Sequence, residues 1–66
     1  MLVKLKAFRL EKEVTQKQIS EAIGISESYY CQMENGSRRM SLLLAKEIAQ
    51  FLNATLDELF MDTDLA

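Results

Sequence analysis

The chain contains no proline and only two glycines, Gly24 and Gly36, so very few positions can interrupt a helix. No stretch alternates between apolar and polar residues as a half-buried strand does. We therefore predict an all-α fold, a compact single domain over residues 1–66. A chain of 66 residues buries only about 60% of the surface that its unfolded form exposes, so its core must be small.

Capping residues divide the chain into five predicted helices. Thr15 with Gln18, and Thr55 with Glu58, have the spacing of capping boxes, in which each side chain accepts a hydrogen bond from the other residue's backbone N–H. Further candidates for helix starts and ends are Ser26, Ser41, Gly24 and the pair Asn35-Gly36. The predicted helices cover about residues 2–13, 15–23, 27–34, 41–51 and 55–60, and we expect residues 62–66 to fray.

The connection between the second and third helices is the most informative local feature. It runs only from Ile23 to Ser26 and contains Gly24. A turn this short makes the two helices cross at a steep angle, which is the helix-turn-helix geometry. Ordinary small helical bundles also contain short glycine turns, so the turn by itself leaves both architectures open.

The third helix has two chemically different sides. At about 100° per residue, one side carries Tyr29, Tyr30 and Met33, and the opposite arc carries Glu27, Ser28, Cys31, Gln32 and Asn35. The polar arc includes groups that can read base edges in DNA: the Gln32 amide, the Ser28 hydroxyl and the Glu27 carboxylate, which can accept from the cytosine amino group. The alternative is an amphipathic helix whose polar side only meets water.

The charge is unevenly distributed along the chain. The net charge is −2 and the pI about 5.0, which is unusual for a nucleic-acid binder. From Thr55 onward, however, there are four acidic and no basic residues, which leaves 8 basic and 6 acidic residues, a net +2, before that point. The basic residues cluster between Lys4 and Lys17 and at Arg38-Arg39. A basic DNA-facing patch is therefore compatible with the negative net charge of the whole chain. The alternative is that these charges only solvate the surface.

Several function classes are excluded by missing residues. The chain has no histidine and a single cysteine, Cys31, so it cannot form an internal disulfide, a His-based zinc site or a His-dependent catalytic triad. We expect no enzyme activity, metal, cofactor or small-molecule ligand.

The longest apolar run is four residues, Leu42–Ala45, and we find neither a membrane span nor a signal peptide, so we expect a cytoplasmic protein of bacterial or phage origin. For Cys31, an incidental small residue is the simpler interpretation, and a redox switch is the alternative.

A larger pattern emerges when the motifs are read together. It consists of Leu5, Phe8-Arg9, Thr15-Gln16, Ile19, Ala22–Ser26, Met33–Gly36, Ser41-Leu42, Ile48-Ala49, Leu52 and Leu56–Leu59. From about Leu5 to Phe60 the chain resembles the Cro and lambda-repressor type of helix-turn-helix, the XRE family. The resemblance implies a five-helix, lambda-repressor-like DNA-binding domain whose helix-turn-helix is formed by helices two and three.

The resemblance also implies roles for individual residues. It implies that Glu27, Ser28 and Gln32 contact bases, with Cys31 close by. It also implies contacts to the DNA backbone by Gln16, Tyr29, Asn35, Ser37, Arg38 and Arg39. Arg9 and Glu34 correspond to an ion pair that ties the first helix to the recognition helix. Three residues depart from the family pattern: Glu27 is acidic close to phosphates, Tyr29 lies at the edge of the inward arc, and Met40 stands where relatives often have proline, which we expect to loosen the turn.

The expected partners are double-stranded DNA and a second copy of the chain. One small domain reads few base pairs, so we expect a homodimer on a pseudo-palindromic operator, with recognition helices about 34 Å apart. Candidates for the dimer interface are Phe51, Phe60, Met61 and Leu65, although Phe51 and Phe60 could instead close the core. Because no sensor domain follows, we expect a stand-alone repressor of the phage, restriction–modification controller or mobile-element type. The alternative function is an antitoxin or protein-docking module.

Overall fold

The computed structural model describes residues 2–60, which form five helices and no strand. The helices are α1 (Val3–Glu11), α2 (Gln16–Ile23), α3 (Glu27–Asn35), α4 (Leu42–Leu52) and α5 (Leu56–Phe60). The predicted all-α, five-helix fold is therefore confirmed. Over this described range, no helix is long and apolar enough to cross a membrane. The predicted fraying of residues 62–66 lies outside the described residues, as do the interface candidates Met61 and Leu65.

Capping side chains begin four of the helices. Thr15 Oγ1 accepts from the Gln18 N–H at 3.0 Å, and Gln18 Oε1 accepts from the Thr15 N–H at 2.8 Å, so the predicted capping box starts α2. Thr55 and Glu58 form the second predicted box, at 3.1 and 2.9 Å, before α5. The hydroxyls of Ser26 and Ser41 begin α3 and α4, where they accept from the Tyr29 and Leu44 N–H groups. These bonds satisfy N–H groups that have no partner inside the helix.

The first helix is shorter than the sequence predicted. We expected it to reach residue 13, but it ends at Glu11, because Glu13 adopts a left-handed conformation with φ 59°. The N–H groups of Glu13 and Val14 then bond back to Leu10 and Arg9 carbonyls, at 3.0 and 3.1 Å. These bonds close the helix with a residue that sequence reasoning had placed inside it.

Left-handed residues end the next three helices. Gly24 (φ 78°) follows α2, Gly36 (φ 90°) follows α3 and Asn53 (φ 55°) follows α4. Asparagine is the non-glycine residue best suited to this conformation, since its side chain can bond locally. The two glycines are predicted as helix ends from the sequence, whereas Asn53 is not, because asparagine has many roles besides ending a helix.

A single core joins the five helices. Its largest fully buried side chains are Leu5, Ile19, Tyr30, Met33, Ile48 and Leu59. α2 packs against α3 and α4, while α1 packs against α3 and α5. The core therefore holds α3 from behind, through α1 and α2, and leaves its outward side uncovered.

The core includes two residues that the sequence placed in other roles. Phe60 is only 4% exposed and belongs to the core, so its assignment to a dimer interface is wrong and the alternative, that it closes the core, holds. Met40 is also only 4% exposed. Its side chain anchors the segment between α3 and α4 to the core, and the looser turn expected in place of proline stays a prediction.

Candidate nucleic-acid interface

The outward side of α3 presents a short row of polar side chains. Glu27, Ser28 and Asn35 are exposed, whereas Cys31 and Gln32 are half-buried. The Ser26 cap fixes the start of α3, because its hydroxyl accepts from the Tyr29 N–H at 3.0 Å. The three residues predicted to contact bases therefore lie on one accessible side of a helix with a defined beginning.

The chain after α3 folds back beside this surface. Gly36 reverses the chain direction, and the Arg38 N–H donates to the Gln32 carbonyl at 3.1 Å. The Arg38 guanidinium stacks 4.5 Å above the Tyr29 ring and donates from Nε to Gln32 Oε1 at 3.0 Å. Tyr29 itself is half-buried and packs against the core. The structure thus brings together a predicted base contact and two predicted backbone contacts.

The turn around Gly36 is held by its own side chains. Asn35 Oδ1 accepts from the Ser37 N–H at 2.8 Å, which is an Asx turn. Asn35, Ser37, Arg38 and Arg39 are all exposed. From the last residue of α3 onward, the predicted backbone contacts therefore form one continuous exposed segment, directly beside the outward side of that helix.

A buried polar network fixes α3 from the opposite side. Arg9 donates to both carboxylate oxygens of Glu34, from Nε at 2.8 Å and from NH2 at 3.0 Å, and its NH1 donates to the Val14 carbonyl at 2.8 Å. The Tyr30 hydroxyl donates to Glu34 Oε2 at 2.7 Å. Among residues 2–60, every buried side-chain nitrogen and oxygen has a hydrogen-bond partner. A fully satisfied network of this kind holds its members in one arrangement.

Gln16 takes part in the same network. Its Nε2 donates to Glu34 Oε1 at 3.2 Å, and the residue is half-buried. The resemblance predicts a contact between Gln16 and the DNA backbone. With the carboxamide directed at Glu34, the N–H groups in the first turn of α2 are the more accessible donors for an anion.

The network shifts the proton affinities of its three ionisable members. Burial alone would raise the pKa of Glu34, but hydrogen bonds from Arg9 and Tyr30 and the Arg9 charge outweigh it and lower that pKa. The hydrogen bond to Glu34 raises the pKa of Arg9 against the opposing effect of burial. Burial, and then the bond to Glu34, raise the pKa of Tyr30 far above its usual value. At neutral pH the ion pair is therefore charged and the Tyr30 hydroxyl remains a donor.

Exposed apolar side chains lie on α1 and α4. Phe51 on α4 is 44% exposed, and Leu43, two turns earlier on the same helix, is 68% exposed. Val3 and Leu10 are also exposed, on one stripe of α1. Sequence reasoning named Phe51 and missed Leu43, although three consecutive leucines at positions 42–44 cannot all face the core of one helix.

No other chemistry is assembled in the described part of the chain. Residues 2–60 contain no group of three or more potential metal ligands. Cys31 is a free, half-buried cysteine. The surface built from α3 and the segment that follows it is therefore the candidate site.

Comparison with known proteins identifies relatives of this architecture. A family model described as helix-turn-helix matches residues 5–59. The control protein C.MunI of a Mycoplasma species is 39% identical over 62 residues, which are 92% of this chain and 84% of that protein. YqaF of Bacillus subtilis, an uncharacterized HTH-type transcriptional regulator, is 42% identical over 48 residues, which are 73% of this chain and 63% of YqaF.

A solved structure shares the fold. The crystal structure of the clp gene regulator ClgR from Corynebacterium glutamicum matches with a TM-score of 0.84 at 27% identity. The match covers 89% of this chain and 63% of the ClgR chain. The chain thus spans less than two thirds of the length of both YqaF and ClgR.

Proposed function

The chain belongs to the XRE-type helix-turn-helix family of DNA-binding transcriptional regulators, and from this premise we propose that it is a dimeric, sequence-specific repressor of a pseudo-palindromic operator. Proteins of this family are regulators rather than enzymes. The proposed location is the bacterial cytoplasm, where the operator would be. Of the three repressor types expected from the sequence, the similarity to a protein named control protein C.MunI favours the restriction–modification controller over the phage and mobile-element types.

The observation that carries the proposal is the contrast between the two sides of α3. Glu34 and Tyr30 fix its inner side in a buried, fully hydrogen-bonded network. Its outer side presents Glu27 and Ser28 to solvent, with Gln32 half-buried beside them. A rigidly held helix with short polar groups on its free side is suited to the major groove, whose base edges offer distinct patterns of donors and acceptors.

Base reading and backbone positioning fall to separate residues in this proposal. Glu27, Ser28 and Gln32 read bases, with Glu27 accepting from a cytosine amino group. The proposed contacts to DNA phosphates are Gln16, Tyr29, Asn35, Ser37, Arg38 and Arg39. Gln16 acts through its backbone N–H, because its side chain is bonded to Glu34. Phosphate contacts fix the register of the helix on DNA without reading the sequence.

A homodimer supplies the second recognition helix. One copy of α3 reaches too few base pairs for useful specificity, and two copies about 34 Å apart meet successive turns of the same groove. Phe51 supports an interface on α4, because it is the predicted interface residue that remains exposed among those described. Leu43 extends the same apolar surface along the helix.

One observation favours a second function. Leu43, Val3 and Leu10 are all more than half exposed, and they lie on two different helices. Isolated exposed apolar residues are ordinary, but several on a domain this small are suited to contact with another protein. An antitoxin or protein-docking module is therefore the competing function.

Selection of bound sequences from a random duplex library, at low and moderate salt, separates the two functions. We expect enrichment of a motif with two related half-sites and a steep loss of binding with salt, since phosphate contacts release counterions. Gln32→Ala should lose preference at one base per half-site. If no motif is enriched at either salt concentration, the regulator proposal fails and the docking function takes its place.

A further inference from the structure

Gln32 does not present a free carboxamide to the DNA-facing side of α3. Its Oε1 accepts from Arg38 Nε at 3.0 Å, and its backbone carbonyl accepts from the Arg38 N–H at 3.1 Å. The Arg38 guanidinium is held in place by its stacking on the Tyr29 ring, 4.5 Å away. Arg38 is therefore fixed at three points and bonded to the side chain that is proposed to read a base.

The chemistry of the guanidinium determines which way the amide faces. Arginine has five N–H donors and no acceptor, so only the oxygen of the Gln32 amide can bond to it. The Nε2 group of Gln32 must then lie on the side away from Arg38, with two N–H donors. Any further donor that approached Oε1 would also meet the positive charge of Arg38.

This orientation changes the base that Gln32 suits best. A free glutamine matches adenine, because its oxygen accepts from the N6 amino group while its N–H donates to N7. Guanine presents two acceptors, N7 and O6, on the same edge. Because Arg38 occupies one lone pair of the Gln32 oxygen and places its charge beside the other, Gln32 donates more readily than it accepts, which matches guanine better than adenine.

Building on the proposed DNA-binding function, we propose that Arg38 is a specificity-determining residue that positions Gln32 to favour guanine over adenine. It acts from outside the recognition helix and through another side chain. Its remaining N–H groups can still meet a phosphate, so positioning and affinity are separable contributions of one residue.

The test compares base preferences selected from a random duplex library by the wild type and four variants. Gln32→Ala identifies the base position that Gln32 reads. Arg38→Met keeps a straight side chain over Tyr29 but removes every donor, and Arg38→Lys restores a group that can only donate. Arg39→Met is the matched control, since it removes the charge of the adjacent exposed residue.

We expect the wild type to prefer guanine over adenine at the Gln32 position by about tenfold. Arg38→Met should abolish or reverse this preference, and Arg38→Lys should retain most of it. Arg39→Met should weaken binding to all sequences and leave the preference unchanged. Thermal midpoints close to that of the wild type would show that each of these exposed positions is altered without loss of the fold.

Three results would overturn the inference. If Arg38→Met keeps the guanine preference and weakens all sequences as Arg39→Met does, Arg38 is only a phosphate contact. If Gln32→Ala keeps the guanine preference while Arg38→Met loses it, Arg38 reads the base itself. A wild type that prefers adenine at this position would show that the bond to Arg38 does not persist on DNA. In each case a selected motif still exists, so the proposed function stands; only a wild type that selects no motif removes both.

Discussion

Arg9 and Glu34, 25 residues apart in the sequence, face each other with two parallel hydrogen bonds, Nε to Oε2 at 2.8 Å and NH2 to Oε1 at 3.0 Å. Both side chains are nearly inaccessible to solvent, at 7% and 3% exposure. Paired donors and acceptors of this kind fix direction as well as distance. The pair therefore sets the position of α3 relative to α1, and with it the angle at which the proposed reading surface leaves the domain.

Replacing Glu34 with glutamine should destabilise the fold severely. The substitution leaves the buried Arg9 guanidinium without an opposing charge, which costs about 3–5 kcal/mol. A domain of this size is stabilised by only about 3–10 kcal/mol in total, so the substitution should remove about a third of that stability or more. Urea denaturation followed by far-ultraviolet circular dichroism measures the difference.

A double variant separates charge burial from packing. Arg9→Met together with Glu34→Gln removes both charges and should be more stable than Glu34→Gln alone, because no isolated ion remains in the core. If the stability lost by the double variant equals the sum of the losses of Arg9→Met alone and Glu34→Gln alone, the cost of Glu34→Gln comes from lost packing rather than from the unpaired cation.

Stability should decrease in acid through Glu34. Its pKa in the folded protein lies below the ordinary value of 4.5. The stabilisation is thus complete above the unfolded pKa and is lost as the pH falls through the folded one. An NMR titration of the Glu34 side-chain carboxyl carbon should give a midpoint below 4.5, together with a falling urea midpoint over the same range. A carboxyl midpoint at or above 4.5 would contradict the charged pairing with Arg9.

The helical architecture was predictable because its determinants are local. The capping box of Thr15 and the left-handed Gly24 act within a few residues, so their spacing in the sequence is sufficient. Glu13 was misjudged for the opposite reason, since its conformation depends on a distant contact. Its left-handed conformation accompanies bonds from Val14 to Arg9 and from Arg9 to Val14, and that reciprocal arrangement depends on Arg9 also reaching Glu34.

The candidate site was only partly predictable. Spacing on a helix placed Glu27 and Ser28 on the outward side, because periodicity fixes direction. It did not indicate that Gln16 would bond to Glu34 or that Arg38 would bond to Gln32. Those contacts depend on how α2 and the segment after Gly36 pack in three dimensions, which one sequence does not encode in any short pattern.

Gly24→Ala should destabilise the domain by about 1–2 kcal/mol through the backbone alone. Gly24 has φ 78°, a conformation that costs other residues this much. A Cβ at this position would meet no heavy atom within 4 Å, so no clash contributes. Gly24→Asn should cost less, since asparagine tolerates the left-handed region. Thermal unfolding of both variants checks the order, and equal losses would show that the conformation is not the cause.

Removing the cap of the recognition helix should weaken it measurably. Ser26→Ala deletes the hydroxyl that accepts from the Tyr29 N–H, at a cost of about 1 kcal/mol. Ser28→Ala, an exposed serine two residues further on, provides the control and should change stability by less than about 0.5 kcal/mol. Both values come from urea denaturation. Equal effects of the two substitutions would show that the cap contributes nothing particular to α3.

Phe51→Glu should dissociate the proposed homodimer without unfolding the monomer. Phe51 is 44% exposed, so a charge can be accommodated there in the free chain but not against a second copy. If Phe51 lies at the centre of the interface, the dissociation constant should rise by at least about 30-fold. Gln50→Glu adds the same charge at the preceding exposed position and is the matched control. Sedimentation equilibrium at micromolar concentration should show a monomer for Phe51→Glu and a dimer for Gln50→Glu and the wild type. A wild-type dimer that survives Phe51→Glu would place the interface elsewhere and redirect attention to the exposed stripe of Val3 and Leu10 on α1.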